Sequence, residues 1–293
     1  MTANASSYLE KIRAKWNSFW NEKPKHQEGT WTEEIIAILA ILLVRTFIAE
    51  PSMVPSESMS PTLLTGDFII INKFAYRSSL VNIPLIGGLF VSNNLAVSKS
   101  IKRGSLLVFT KPGDYDHFFA FIYLPRHYTK RAIALPEDTI RFSSHSVHVN
   151  DEQVFLRDIS KAKKYTLRHD DAKYEKMELY QACLKNDGVP HFYPILFSKN
   201  QSFPETEEMT YTVPNGYLFA MGSNFHNSTD SRFAPFGDVP MGRIVGAPFC
   251  VIFSTNALFS RNVSSLQWIV ELPWRICVSL YMARWNRIGI ILK

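Results

Sequence analysis

The chain has 293 residues, enough for one or two domains, and 46% of them are hydrophobic, enough for a sizeable core. Its formal net charge is +6, but the lysines and arginines flank apolar runs instead of forming one block, which favours a membrane surface and argues against nucleic acid as a partner. Three distant cysteines, Cys183, Cys250 and Cys277, form no CxxC, which excludes a zinc or thioredoxin-type motif and a disulfide framework.

Residues 1–30 set Trp16, Phe19 and Trp20 among Lys11, Arg13, Lys15, Lys23 and Lys25. They read either as an amphipathic helix on a membrane surface or as a tail without fixed structure. The apolar run that follows, Ile35 to Val44 and on past Arg45 to Ala49, gives with Trp31 about the length a tilted helix needs to cross a bilayer. Arg45 would snorkel to the interface. The polar leader is too long for a cleaved signal peptide and no small-x-small site follows, so residues 31–50 are expected to be an uncleaved transmembrane anchor. Lys and Arg are denser before this run than after it, which keeps the N-terminus in the cytoplasm and exports the rest.

Directly after the run comes Val54-Pro55-Ser56-Glu57-Ser58-Met59-Ser60-Pro61, continuing to Gly66-Asp67. Two prolines hold the backbone extended on both sides of the serines. Such a rigid serine loop is either a Ser/Pro linker or the seat of a nucleophile. Short β-type runs follow: Phe68 to Asn72, Leu106 to Phe109, Ala120 to Leu124, Val147 to Val149, Thr210 to Val213, Tyr217 to Met221 and Ile244 to Phe253. They predict a mainly β, largely antiparallel domain. Ile83 to Val91 reads as a loop touching lipid or a buried hairpin. Residues 151–212 are more polar and read as an inserted, smaller α/β subdomain. Its Ser160-x-x-Lys163 lacks the SDN and KTG partners of a β-lactamase-type dyad and is a chance match. His145 and His148 would fall on opposite faces of a strand, so no metal site is assigned. The tail from 263 mixes Trp268, Trp274, Tyr281 and Trp285 with arginines and is expected to lie at the membrane interface.

A nucleophilic serine needs a base, and no histidine sits in a persuasive setting. Lys130, in Tyr128-Thr129-Lys130-Arg131-Ala132-Ile133-Ala134, has an apolar flank on its C-terminal side. Carried into the core, its ammonium form is penalised and a neutral amine can take a serine proton. Left on the surface, it is an ordinary solvated lysine.

Four segments in order resemble the motif boxes of bacterial type I signal peptidases, membrane-bound enzymes with a Ser-Lys dyad. They are Pro55 to Asp67 with Lys73-Phe74-Ala75-Tyr76, Arg103 to Phe109, Lys130-Arg131-Ala132, and Met221-Gly222-Ser223-Asn224 with Asn227 to Arg232. The resemblance implies Ser58 as nucleophile and Lys130 as general base. It implies an oxyanion hole from the Ser58 N–H and the Ser56 hydroxyl, with Ser228 orienting the lysine. Asp230 and Arg232 would form a structural ion pair near the site, shared with Arg131. It implies an antiparallel β catalytic domain formed by residues 51–150 and 213–262, around the inserted subdomain. The reaction would need no metal and no cofactor. Its partners would be exported preproteins and membrane lipid, its setting the inner membrane with the catalytic domain outside the cytoplasm, its state a monomer. The chain departs from the pattern at Ser223, Phe225 and His226, which take the Asp, Arg and Asp places of the fourth box, and at Ala134, Glu137 and Arg77, where the family carries glycine. Two alternatives stand beside this reading: a processing peptidase for a narrow set of exported proteins, and a non-catalytic, membrane-anchored binding protein.

Overall fold

Ala49–Met53 (β1) and Asp67–Asn72 (β2) show why this chain makes sheet. Along β2, Asp67, Ile69 and Ile71 are buried while Phe68, Ile70 and Asn72 are half-buried, the period of two that puts one face of a strand against a core. The computed structural model describes residues 31–76, 101–119, 122–143, 146–158, 165–168, 174–198, 209–233, 236–255 and 274–292, with 10–11 and 13–15. They fall into two units, 1–44 and 45–293.

The first unit contains helix α1 (Trp31–Leu43). Glu33 and Glu34 in its first turn suit the positive end of the helix dipole. None of its residues is buried. At 1.5 Å per residue it is about 20 Å long, against roughly 30 Å of bilayer hydrocarbon. A π-helical turn, Val44–Ile48, follows it, and residues 49 and 50 already belong to β1. The expected single span over 31–50 is therefore corrected: no helix among the described residues is long and apolar enough to cross a membrane.

In the second unit the remaining strands are β3 (Leu106–Phe119), β4 (Ile122–Ala134), β5 (Thr139–Ser143), β6 (Ser146–Val149), β7 (Glu152–Gln153), β8 (Phe155–Asp158), β9 (Tyr165–Arg168), β10 (Tyr174–Asn186), β11 (Val189–Ser198), β12 (Met209–Thr212), β13 (Tyr217–Met221), β14 (Val239–Pro240) and β15 (Ile244–Ser254). A seven-stranded sheet runs β1-β2-β15-β3-β4-β13-β14. Two four-stranded sheets join it: β11-β10-β8 with β9 on β10, and β12-β5-β6-β7. Every strand pairing in these sheets is antiparallel, as the short, closely spaced β-type runs predict.

The inserted stretch departs from expectation in one respect. Its described elements within 151–212 are all strands, so the helical part of an α/β subdomain is absent among the described residues. Its strands also share a core with the main sheet: Ala182, Leu184, Tyr193 and Ile195 pack with Ile133, Phe219 and Met221. A long hairpin presents an apolar face that cannot be left in water, and the nearest apolar surface is the back of β4 and β13. Ile83–Val91, Ser160–Lys163 and His145 lie outside the described residues.

Candidate active site

The serine loop is closed at its base by two backbone bonds, Val54 N–H to the Asp67 carbonyl at 2.8 Å and Gly66 N–H to the Val54 carbonyl at 2.9 Å. Glu57–Met59 forms one 3-10 turn, with Ser60 N–H bonded to the Glu57 carbonyl at 2.9 Å. Met59 and Leu63 are buried in a core cluster with Ile69, Ile71 and Val251, so the turn is pinned from below. Ser58 sits on this turn at 9% exposure. Its hydroxyl lies 3.2 Å from the Ser56 hydroxyl, and the Ser56 side chain caps no backbone N–H of the turn.

The far end of the loop is held by the C-terminal segment. Asp67 is fully buried and accepts from Arg287 at 2.6 Å and from the Ser254 hydroxyl at 2.6 Å. Arg287 reaches on to the Thr62 carbonyl at 3.1 Å, and Arg284 to the Thr65 carbonyl at 2.6 Å. The two arginines thus face inward onto the serine loop, while Trp274, Tyr281 and Trp285 beside them are exposed. Arg287→Ala leaves Asp67 with fewer partners. A loss of roughly 2–3 kcal/mol, or a Tm about 5–10 °C lower, is expected in a thermal melt of the detergent-solubilised protein. A melt unchanged from wild type would show that the clasp carries no stability.

Lys130 lies opposite Leu107 and Arg131 opposite Leu106, so these neighbours on β4 point to opposite faces of the sheet. Lys130 is 4% exposed, and its Nζ donates to the Ser228 hydroxyl at 2.9 Å. Burial pulls its pKa down to about 8; Asp230 pulls upward, and the cations Arg232 and Lys111 add to the lowering. Ser228 passes the contact on, donating to Asp230 at 2.7 Å. Burial alone would push the Asp230 carboxyl up. The Arg232 guanidinium, the Gly222 N–H and the Ser228 hydroxyl together hold it below the usual carboxylate range. The Asp230–Arg232 pair expected from the sequence is present at 2.7 Å. Arg131 takes no part in it: its guanidinium donates to the Gly104 carbonyl and stacks over Tyr193.

The serine turn packs against β4, and Gly222 marks the point where the two halves of the site meet. A Cβ there would fall 2.3 Å from the Ser228 hydroxyl and 2.4 Å from the Ser58 carbonyl oxygen. The next residue but one, Asn224, donates its backbone N–H to the same Ser58 carbonyl at 3.0 Å. The loop that carries Ser228 is therefore bonded to the residue before Met59, and the structure brings Ser56, Ser58, Lys130, Ser228, Asp230 and Arg232 into one place. Ser58 and Lys130 share no direct hydrogen bond; each hydroxyl or amine is held by another serine.

A second buried lysine exists. Lys73 is 1% exposed and its pKa is lowered by burial, but its Nζ lies 2.7 Å from Glu50. A carboxylate at that distance keeps the ammonium form, so Lys73 suits an ion pair and not a base.

Residues 30–253 match the family described as signal peptidase, peptidase S26. That is well over half of the chain. This chain belongs to the bacterial type I signal peptidases. It resembles the signal peptidase I of Pseudomonas fluorescens, 32% identical over 225 residues covering 74% of this chain and 69% of that one. It likewise resembles the signal peptidase I of Aquifex aeolicus, 30% identical over 243 residues covering 76% of this chain and 82% of that one. A crystal structure of a signal peptidase I from Enterococcus faecalis, 23% identical, covers 51% of this chain and 97% of that one at a TM-score of 0.29, too low to compare folds. As a signal peptidase the protein is a serine endopeptidase that removes signal peptides from exported preproteins.

Three features of this signal peptidase escape a reading of its sequence. Asp67 and its two arginines are 217 and 220 positions apart, and no local pattern joins them. Gly222 is quoted with the fourth box, but its contact with both serines appears only in space. Lys73 carries no sequence mark that separates its paired state from that of Lys130.

Proposed function

We propose that this signal peptidase cuts through an acyl-enzyme on Ser58 with Lys130 as general base. The observation that carries the reading is Lys130 itself: a nearly fully buried lysine with no carboxylate of the described residues against its Nζ, a pKa drawn down to about 8, and one hydroxyl, Ser228, holding it in place. A neutral amine accepts a proton near neutral pH where a solvated lysine does not.

The Ser58 hydroxyl turns from Ser56 toward Lys130, gives up its proton to the amine and attacks the scissile carbonyl carbon. The oxyanion meets the Ser58 N–H and the Ser56 hydroxyl, which is not spent on a helix cap. The ammonium of Lys130 returns its proton to the leaving amine nitrogen as the C–N bond breaks. Water then adds to the Ser58 ester with its proton passing to Lys130. The C–O bond breaks and the proton returns to Ser58, releasing the signal peptide with a new carboxylate. Ser228 keeps the amine aimed throughout, and Asp230, tied to Arg232, keeps Ser228 aimed. No step requires a metal or cofactor.

The substrate class is a signal peptide with small residues at the first and third positions before the cut, an Ala-x-Ala site. The extended peptide docks by adding a strand. The enzyme works as a monomer at the inner membrane, its catalytic unit outside the cytoplasm. Trp31 to Val44 supplies the N-terminal attachment to lipid: α1 exposes Ile35, Ile36, Ile38, Leu39 and Ile41 to solvent, a set of side chains that water does not favour. The test is cleavage of a preprotein with an Ala-x-Ala site by wild type and Ser58→Ala, with the products mapped by mass spectrometry. Wild type is expected to cut after the second alanine and Ser58→Ala to leave the preprotein intact while melting normally. Cleavage by Ser58→Ala at the wild-type rate would sink the assignment.

A further inference from the structure

Phe225 takes the arginine place of the fourth box, and its ring stands where the support of the base ends. It is 3% exposed, and the Arg232 guanidinium lies 4.0 Å over its face. One Arg232 amino group also donates to the Phe225 carbonyl at 2.7 Å. One residue thus holds the guanidinium by its face and by its edge. The Arg232 side chain is itself only 8% exposed, and a cation stacked on an aromatic face away from water is held more firmly than one in solvent. From this seat Arg232 turns a fork of two donors onto Asp230, 2.7 and 2.8 Å from its two oxygens. Asp230 holds the Ser228 hydroxyl at 2.7 Å, and Ser228 holds Lys130 Nζ at 2.9 Å.

Phe225 is fixed in turn by β11, a strand of the inserted stretch. Leu196 accepts from the Phe225 N–H at 2.9 Å and donates its own N–H to the Ser223 carbonyl at 2.8 Å. The Phe197 ring packs 5.5 Å from the Phe225 ring and 4.3 Å from that of His226. An arginine at 225 would set a second cation against Arg232, whereas a phenyl ring offers it an electron-rich face. The charged groups acting on Lys130 are Asp230, which favours the ammonium form, and Arg232 and Lys111, which oppose it. Arg232 therefore weighs on Lys130 twice, through its own charge and by neutralising Asp230. Loosened from Phe225, it covers Asp230 less well, and the carboxylate then favours the ammonium.

We infer that Phe225, held by β11, is a positioning residue for the base: by seating Arg232 on Asp230 it keeps the Lys130 amine aimed and ready to accept a proton. The inserted stretch, which supplies none of the reacting groups, reaches the reaction along this path. The inference rests on Lys130 being the base.

The test measures kcat and KM against pH for the full chain in detergent, with a preprotein carrying an Ala-x-Ala site. Phe225→Met keeps an apolar side chain in the core and removes the ring. It is expected to lower kcat at pH 7 by about 5–30-fold, to leave KM within about threefold, and to move the inflection upward by about half a pH unit. Phe225→Tyr keeps the ring and is expected to return kcat and the inflection to near wild type. A residue that only filled the core would lower the Tm and leave the inflection in place. If Phe225→Met does not fold, Phe197→Leu, at the half-buried ring packed against Phe225, carries the test, with a smaller shift in the same direction. A folded Phe225→Met or Phe197→Leu enzyme with the wild-type kcat and inflection would overturn the inference, as would a folded Phe225→Tyr that behaves like Phe225→Met. A wild-type inflection far from 8 would remove the base itself and the inference with it, whereas variants that share a wild-type inflection near 8 would remove the inference alone.

Discussion

Lys130→Met is expected to lower kcat/KM by about 10³–10⁵-fold while leaving the fold intact, because it removes the base and little else. The usual objection to mutating a buried charged residue is that its partner is left stranded. Here the partners are provided for. Ser228 still donates to Asp230 at 2.7 Å, and Asp230 still receives Arg232 and the Gly222 N–H. Methionine has nearly the length of lysine without the amine, so the site is refilled and no group loses its only contact. A Tm within a few degrees of wild type, measured with the cleavage rate on one sample, separates lost chemistry from lost structure. A folded Lys130→Met enzyme that cuts within tenfold of wild type would mean that another group takes the serine proton. Lys73→Met is the informative comparison. It takes from Glu50 its closest cation, leaving only the more exposed Arg45 at 3.3 Å, and is expected to lower the Tm more than Lys130→Met does.

Gly222→Ala, one methyl group, is expected to reduce kcat by about 10²–10³-fold and to lower stability by about 1–3 kcal/mol. The added carbon would stand 2.3 Å from the Ser228 hydroxyl oxygen, 2.6 Å from its Cβ and 2.4 Å from the Ser58 carbonyl oxygen. Contacts this short require something to move, and the atoms in the way are not free ends of long side chains. Ser58 O is backbone, bonded to Asn224 N–H at 3.0 Å. Ser228 is held at once by Lys130 and Asp230. Relief must therefore push the nucleophile's turn and the base's support apart, the displacement that a proton transfer tolerates least. The reading is kinetic: kcat should fall far more than KM rises. A Gly222→Ala enzyme with wild-type kcat would show that the serine turn and the Ser228 loop are not in the tight apposition described here.

The fold was legible where burial follows period two. Phe68 to Asn72 and Val147 to Val149 read as strands and are strands with alternating burial, a local property of the chain; Tyr217 to Met221 is also a strand as read, but is buried on both faces from Leu218 on. The 31–50 run was misread for a physical reason. Hydropathy marks residues that avoid water, but sheet hydrogen bonding takes Ala49 and Glu50 into β1, where they pair with Asn72 and Ile71, and the helix stops at Leu43. In the candidate site, Ser58 and Lys130 stood out by residue type and setting, while Ser228, Asp230 and Arg232 came only from the resemblance of the ordered boxes; the structure gathers all five in one place. The Arg131 placement failed because neighbours on a strand face opposite ways, a fact that needs the register of β4 to apply. The clasp of Arg284 and Arg287 on Asp67 was beyond reach for a different reason. Aromatic and basic residues mixed in a tail do not show which arginine reaches a buried carboxylate; that takes the fold.

The pH dependence of kcat/KM tests most directly whether a desolvated lysine is the base. Lys130 must be neutral to act, and its folded pKa is lowered to about 8. Below that value only a fraction of the enzyme carries the free amine, so kcat/KM should rise about tenfold per pH unit and level off above an inflection near 8. Glu50, Asp138 and Asp230, all lowered, are ionised throughout this range and add no inflection. A profile with its inflection near 6.5 would point to a histidine base instead, and one still rising tenfold per unit at pH 10 would mean that Lys130 behaves as a solvated amine. Either result would contradict the dyad.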